Sequence, residues 1–304
     1  QFNYEVPGKL LTKINEKLPF ELTASQKKVV KEIWQDMKSE KVMNRLLQGD
    51  VGSGKTVVAV LAAAIAIGNG YQAAIMAPTE ILAEQHYQNL KAMTRGLDIE
   101  TVLLVGNQKK DERQDILAKI KQNQANLIVG THALIQDHVV IDNLSLVIID
   151  EQHRFGVMQR GKLIKKGLNP DVLVMTATPI PRTMSMTLYG DMDISTIDET
   201  PARKGKIITK KVTEEQMQKV YDFTSDKIEE GHQVYVVYPL IEESEKIDLK
   251  AAETGYRKMD KQIFPEYSVE LLHGQMKNDE KEGIMARFQE GEIDILVSTT
   301  VIEV

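Results

Sequence analysis

A chain of 304 residues with 42% hydrophobic side chains is long enough for about two globular cores. Cysteine is absent, which removes disulfides and thiolate metal sites and suits a reducing, cytoplasmic setting, and no apolar run approaches the roughly 20 residues of a membrane span. With 38 Lys and Arg against 44 Asp and Glu the net charge is −6, so bulk charge does not coat nucleic acid, and any such partner is gripped locally by loops and helix ends.

In chain order, the first periodic pattern is 24–38, where Val29, Val30, Ile33, Trp34 and Met37 share one helical face. A strand-like lead-in then enters a Gly-rich turn, and an apolar helix is expected over 55–67. Strands are read at 73–78, 101–106, 126–131, 145–150 and 171–178, with helices at 80–94 and 109–122 between them. The lysine-rich 109–122 segment is mixed in sign and reads as a solvated helix face. "DETPARKGK" (198–206) has Pro, Gly and charge without periodicity and reads as a linker. Beyond it come a helix at 214–230, strands at 233–240 and 269–274, a helix at 277–290 and a strand at 294–300. The strand runs are continuous in Val, Ile and Leu rather than alternating, as in parallel sheets buried on both faces. Strand and helix alternate, so the class is α/β with mostly parallel sheets, in two tandem domains at 23–200 and 209–304 joined by 201–208. The 13 methionines read as core filler. The chain opens on Gln1 and ends on a strand-like "ILVSTTVIEV", the pattern expected of a piece of a longer protein.

"LLQGDVGSGKT" (46–56) matches G-x-x-x-x-G-K-[ST], with Gly49, Gly54, Lys55 and Thr56 in the fixed places and Asp50, Val51, Gly52 and Ser53 between them. Glycines let backbone N–H groups turn in on phosphate oxygens, and the following helix N-terminus adds partial positive charge. Lys55 is expected at the β- and γ-phosphates of ATP and Thr56 on Mg²⁺. "SLVIIDE" drives an apolar run into Asp150 and Glu151. Two carboxylates at the end of a parallel strand are costly unless a nucleotide-bound Mg²⁺ relieves them. Asp150 is then expected to hold the metal through water and Glu151 to orient and deprotonate the attacking water.

Asp150-Glu151-Gln152-His153 resembles the box of superfamily 2 helicases, and other segments follow in that family's order. The resemblance implies two RecA-like domains, the second incomplete at its C-terminus. Gln26 resembles the residue that reads adenine, and its amide has the donor and acceptor to do so. Phe20 is either a neighbour of the adenine or a core aromatic. "APTEILAEQH" (77–86) and "GTHALI" (130–135) resemble loops that touch nucleic-acid phosphates, implying contacts from Pro78, Thr79, Thr131 and His132. His273 and Thr299 are implied contacts from the second domain. "TATPIPRT" (176–183) resembles the motif that couples hydrolysis to strand handling, so Thr176 and Thr178 join Gln152 and His153 in that role. No second His or Cys lies at zinc-ligand spacing from His153.

The combined motifs are most similar to bacterial translocases that remodel stalled replication forks, over about 20–304. Such an enzyme acts on branched or forked DNA with little sequence preference, as a monomeric motor. A neighbouring branch serving transcription-coupled repair typically shows Glu-Glu-His after the Asp, so Gln152 favours the fork-remodelling branch. The alternatives are that second branch, or a nucleotide-binding module without motor activity. The family also places a wedge domain before residues 1–22 and an arginine-bearing motif beyond the last strand. The resemblance therefore implies that these 304 residues bind nucleotide without being a competent helicase.

Overall fold

The computed structural model describes residues 2–4, 8–150, 157–177, 192–199, 208–238 and 245–299. They divide into two compact units, Gln1–Gly205 and Lys206–Val304. Each is an α/β unit in which every pairing among the described strands is parallel.

The first unit holds a seven-stranded sheet of β1 (Asn44–Gly49), β2 (Gln72–Met76), β3 (Thr101–Leu104), β4 (Leu127–Gly130), β5 (Leu144–Asp150), β6 (Asp171–Thr176) and β7 (Asp193–Ile197). Their spatial order is β3-β4-β2-β5-β6-β1-β7. Side chains alternate between two cores, as the pleat requires. Leu47, Ile75, Ile148 and Met175 enter one, while Leu46, Met76, Ile149 and Val174 enter the other. Both faces are covered, which is why these strands read as unbroken apolar runs.

Helix α3 (Lys55–Gly68) buries every residue from Val57 to Ile67. It lies between the sheet and two outer helices, α1 (Gly8–Lys17) and α2 (Ala24–Lys38), which explains a helix that is apolar all round. Residues 1–22, which the resemblance implies are a lead-in from a preceding wedge domain, contribute α1, whose Ile14 is fully buried against this core. Helix α2 starts at a reciprocal cap: Gln26 N–H donates to Thr23 Oγ1, and Thr23 N–H donates to Gln26 Oε1.

β7, for which the sequence carries no apolar run, is held by a polar network. Arg45 on β1 is 8% exposed, with Nε 2.6 Å from Asp36 Oδ2 and a guanidinium N–H donating to Ser195 Oγ at 2.7 Å. At the opposite edge, Gln108 occupies the position of a next strand. Its amide donates to Leu103 O at 3.0 Å and accepts from Val105 N–H at 3.1 Å, closing part of the β3 edge to intermolecular pairing.

At the amino ends of the strands, Asp171 is buried and accepts from Met43 N–H at 2.7 Å. Tyr4, also buried, donates to Ser145 O at 3.2 Å, beside the Asp171 carboxyl. Burial pushes the Asp171 carboxyl up to about 6 from 3.8, against the lowering effect of the Met43 hydrogen bond and the Tyr4 hydroxyl. Because the folded value lies above the unfolded one, the stabilisation is complete below about pH 4 and is lost as pH rises through about 6. The loss amounts to about 3 kcal/mol. Asp171→Asn is expected to abolish this slope and to raise the melting temperature relative to the unmutated protein at pH 8. Thermal melts from pH 4 to 8 check it; an equally steep fall in the variant would place the loss elsewhere.

The second unit has a three-stranded sheet in the order β8 (Val234–Tyr238), β10 (Ile295–Thr299), β9 (Val269–Leu272). Helices Met217–Glu229, Glu245–Lys258 and Asn278–Gln289 pack around it. β10 is buried on both faces and β9 everywhere but at Glu270, whereas β8 departs from the expectation of a two-face-buried strand. It alternates, with Tyr235 and Val237 about half exposed, because β8 borders the sheet and its Tyr235–Val237 face is only partly covered, Tyr235 packing on Phe288.

Candidate nucleotide and nucleic-acid site

The carboxyl ends of β5, β6 and β1 lie side by side, so Asp150, Thr176 and Gly49 end neighbouring parallel strands. This is where an open parallel sheet binds ligands. The loop from Gly49 to Lys55 bends through two left-handed glycines, Gly52 at φ 71° and Gly54 at φ 89°. Gly54 is the N-cap of α3 and has no side-chain cap, so the first N–H groups of the helix are available to an anion. A Cβ at Gly49 would stand 2.6 Å from Ser53 Oγ, and one at Gly54 2.3 Å from Gln26 Nε2. At Gly54 the left-handed φ strains any side chain, and at Gly49 a Cβ would also crowd Ile197 O at 3.3 Å.

Within it, Lys55 Nζ donates to Gly49 O at 2.7 Å and Asp50 O at 3.1 Å, which holds the ammonium over the loop mouth. Val51 N–H donates to Asp50 Oδ1 at 2.8 Å, and Ser53 N–H to Asp50 O at 3.0 Å. Ser53 Oγ is buried without a partner. Thr56, half-buried, follows Lys55 on the first turn of α3. A helix start without a side-chain cap, an ammonium and two hydroxyls are groups of the kind that a triphosphate with Mg²⁺ requires.

Gln26 is 2% exposed, and its Nε2 donates to Ser53 O at 2.8 Å. Its amide thus ties the N-terminus of α2 to the phosphate loop, and one N–H and one lone pair remain beyond these bonds. Phe20 is 45% exposed, which removes the reading of it as a core aromatic.

Asp150 is buried at the end of β5, and its Oδ2 lies 2.7 Å from Nε2 of His86 on helix α4 (Glu80–Met93). His86 had no role in the sequence reading. The available signal was positional: Ala83, His86 and Leu90 share the buried stripe of α4, and an imidazole there needs a partner. Thr176 is buried at the end of β6. Glu151, Gln152, His153 and Thr178 lie outside the described residues.

Of the expected nucleic-acid contacts, Pro78 and Thr79 follow the end of β2. Thr79 is exposed and caps α4 through Leu82 N–H at 3.3 Å. Thr131 follows β4 but is 1% exposed, its hydroxyl buried without a partner, so the residue that reaches solvent there is His132. In the second unit, His273 follows β9, half-buried with Nδ1 unpartnered. Thr299 ends the adjacent β10 and is 4% exposed, so both stand at the carboxyl end of that sheet.

A phosphate loop after β1 and an acidic strand end two strands away define an ATP-binding α/β unit of the RecA-like kind, here followed by a second parallel unit. The DEAD/DEAH box helicase family model matches residues 23–187, and the helicase conserved C-terminal domain matches 215–304. The chain belongs to the DEAD/DEAH box helicase family. It is 54% identical over 294 residues to the ATP-dependent DNA helicase RecG of Streptococcus pneumoniae, covering 97% of this chain and 44% of that protein. To RecG of Synechocystis it is 51% identical over 297 residues, covering 98% and 36%. A structure of RecG bound to a three-way DNA junction superposes with a TM-score of 0.80 at 44% identity, covering 99% of this chain and 39% of that one. The chain thus spans less than half the length of these relatives.

Proposed function

We propose that this chain is the ATP-driven core of a RecG-type DNA helicase or translocase that acts on branched or forked DNA in replication-fork and recombination repair. The observation that carries the reading is identity of 44% or more along nearly the whole chain, through both units, to RecG proteins, one of them bound to a three-way junction. In this reading Gly49, Asp50, Val51, Gly52, Ser53, Gly54, Lys55 and Thr56 hold the triphosphate, and Gln26 meets the adenine. Thr56 and Asp150 hold Mg²⁺, which when bound neutralises charge on the β- and γ-phosphates. Glu151 takes the proton of the attacking water. Gln152, His153, Thr176 and Thr178 relay the nucleotide state to strand handling.

Pro78, Thr79, Thr131, His132, His273 and Thr299 are assigned to the nucleic-acid backbone. Thr131 is the weakest of these, because its hydroxyl is buried. Backbone contacts make binding largely independent of sequence and sensitive to salt. A monomeric, cytoplasmic enzyme fits a chain without cysteine and without, among its described residues, a helix long and apolar enough to cross a membrane.

The test is ATP turnover by a full-length protein that carries these two units, with and without a synthetic three-way junction and alongside linear duplex of equal length; the 304 residues alone are expected to bind nucleotide without DNA-stimulated turnover. The expected result is stimulation, greatest with the junction and reduced by salt. Turnover that ignores DNA of either kind would reject the motor reading and leave a nucleotide-binding module.

A further inference from the structure

We propose that His86 is a positioning residue for the metal-side carboxylate. Its Nε2–H holds Asp150 to α4, the helix whose leading loop carries Pro78 and Thr79, so that the aim of Asp150 depends on where α4 sits. The inference rests on the proposed function, which places Mg²⁺ at Asp150 and nucleic acid at that loop.

Three features of the structure carry it. The first is the contact, 2.7 Å between two side chains of residues only 9% and 8% exposed. An ionised carboxylate can only accept, so the ring nitrogen facing it is the one that carries hydrogen. In a site this dry such a charge-assisted bond is strong and directional. The second is the choice of residue. The other members of the buried stripe of α4 are Ala83 and Leu90, and an apolar side chain at 86 would pack there without the cost of burying an imidazole. Among the described residues, the hydrogen bond that offsets this cost is the one to Asp150. The third is the lever. From the cap at Thr79 to His86 is seven residues of one uninterrupted helix, about 10 Å of rigid element. Backbone contacts on the loop bear on the carboxylate through that helix and one hydrogen bond.

His86→Leu keeps the bulk and removes the donor, whereas His86→Gln keeps an N–H near the Nε2 position. The first readout is the Mg²⁺ midpoint for binding of a fluorescent ATP analogue, with no DNA and no turnover. His86→Leu is expected to raise it about 10-fold, the lower end of what loss of an outer-shell partner costs, and His86→Gln to recover most of it. A three-way DNA junction is then expected to shift the midpoint in the unmutated protein and in His86→Gln, and to leave His86→Leu unmoved. Parental midpoints in both variants overturn the proposal. So does an equal loss in both, which marks a packing role, and an equal DNA-induced shift in all three proteins overturns the link through α4. If the unmutated protein binds no analogue at any Mg²⁺ concentration, the nucleotide reading itself fails, and this inference with it.

Discussion

In the full-length protein, Glu151→Gln is expected to leave ATP bound and to slow its hydrolysis about 10²- to 10⁴-fold, the range for losing a positioned general base. The reason lies in the division of labour between neighbouring acids. Asp150, at the end of β5, is assigned to the metal and is held by His86. Glu151 follows it in the chain, and a carboxylate there can orient water and accept its proton. The amide of Gln keeps the size and one acceptor oxygen but cannot take the proton at neutral pH. Nucleotide affinity should therefore hold while single-turnover phosphate release falls. Asp150→Asn should instead shift the Mg²⁺ dependence. Hydrolysis by Glu151→Gln at the parental rate would require another base.

Lys55→Ala is expected to weaken ATP binding about 10- to 100-fold, since a charge-assisted hydrogen bond to a phosphate contributes about 1.5–3 kcal/mol. Lys55 already hangs over the loop, bonded to the carbonyls of Gly49 and Asp50. The loss should be smaller for ADP, which lacks the γ-phosphate that the ammonium also reaches. Lys55 is only half-buried, so the thermal melt should change little. Calorimetric titration of both nucleotides checks the prediction. Unchanged affinity for each would show that the triphosphate does not lie in this loop.

The phosphate loop was legible in the sequence because its chemistry is local. Eight consecutive residues make the turn, supply the glycines and place the ammonium, and no distant contact is needed to recognise them. The strand ending in Asp150 was legible for a related reason, since an apolar run that stops on an acid reports a buried strand reaching a polar edge. The same local signals located the strands at 73–78, 101–106, 126–131 and 145–150, each buried on both faces and unbroken in the chain. Where burial is one-sided or polar, the signal fails. β7 shows no apolar run because Arg45, Asp36 and Ser195 hold it, and β8 alternates because it borders its sheet and one of its faces is only partly covered.

Tertiary structure alone decided which residues meet across the sheet. His86 and Asp150 are 64 positions apart, and nothing near either announces the other. Gln26 reaches the carbonyl of Ser53 from 27 positions away, which made an expected base reader also a brace for the phosphate loop. Thr131, polar and just past a strand end, looked available, yet packing buries its hydroxyl. Residue type and spacing report what a short segment does by itself. Which side chain is dry, and which partner relieves it, is set by strand order, and strand order emerges only when the whole sheet has formed.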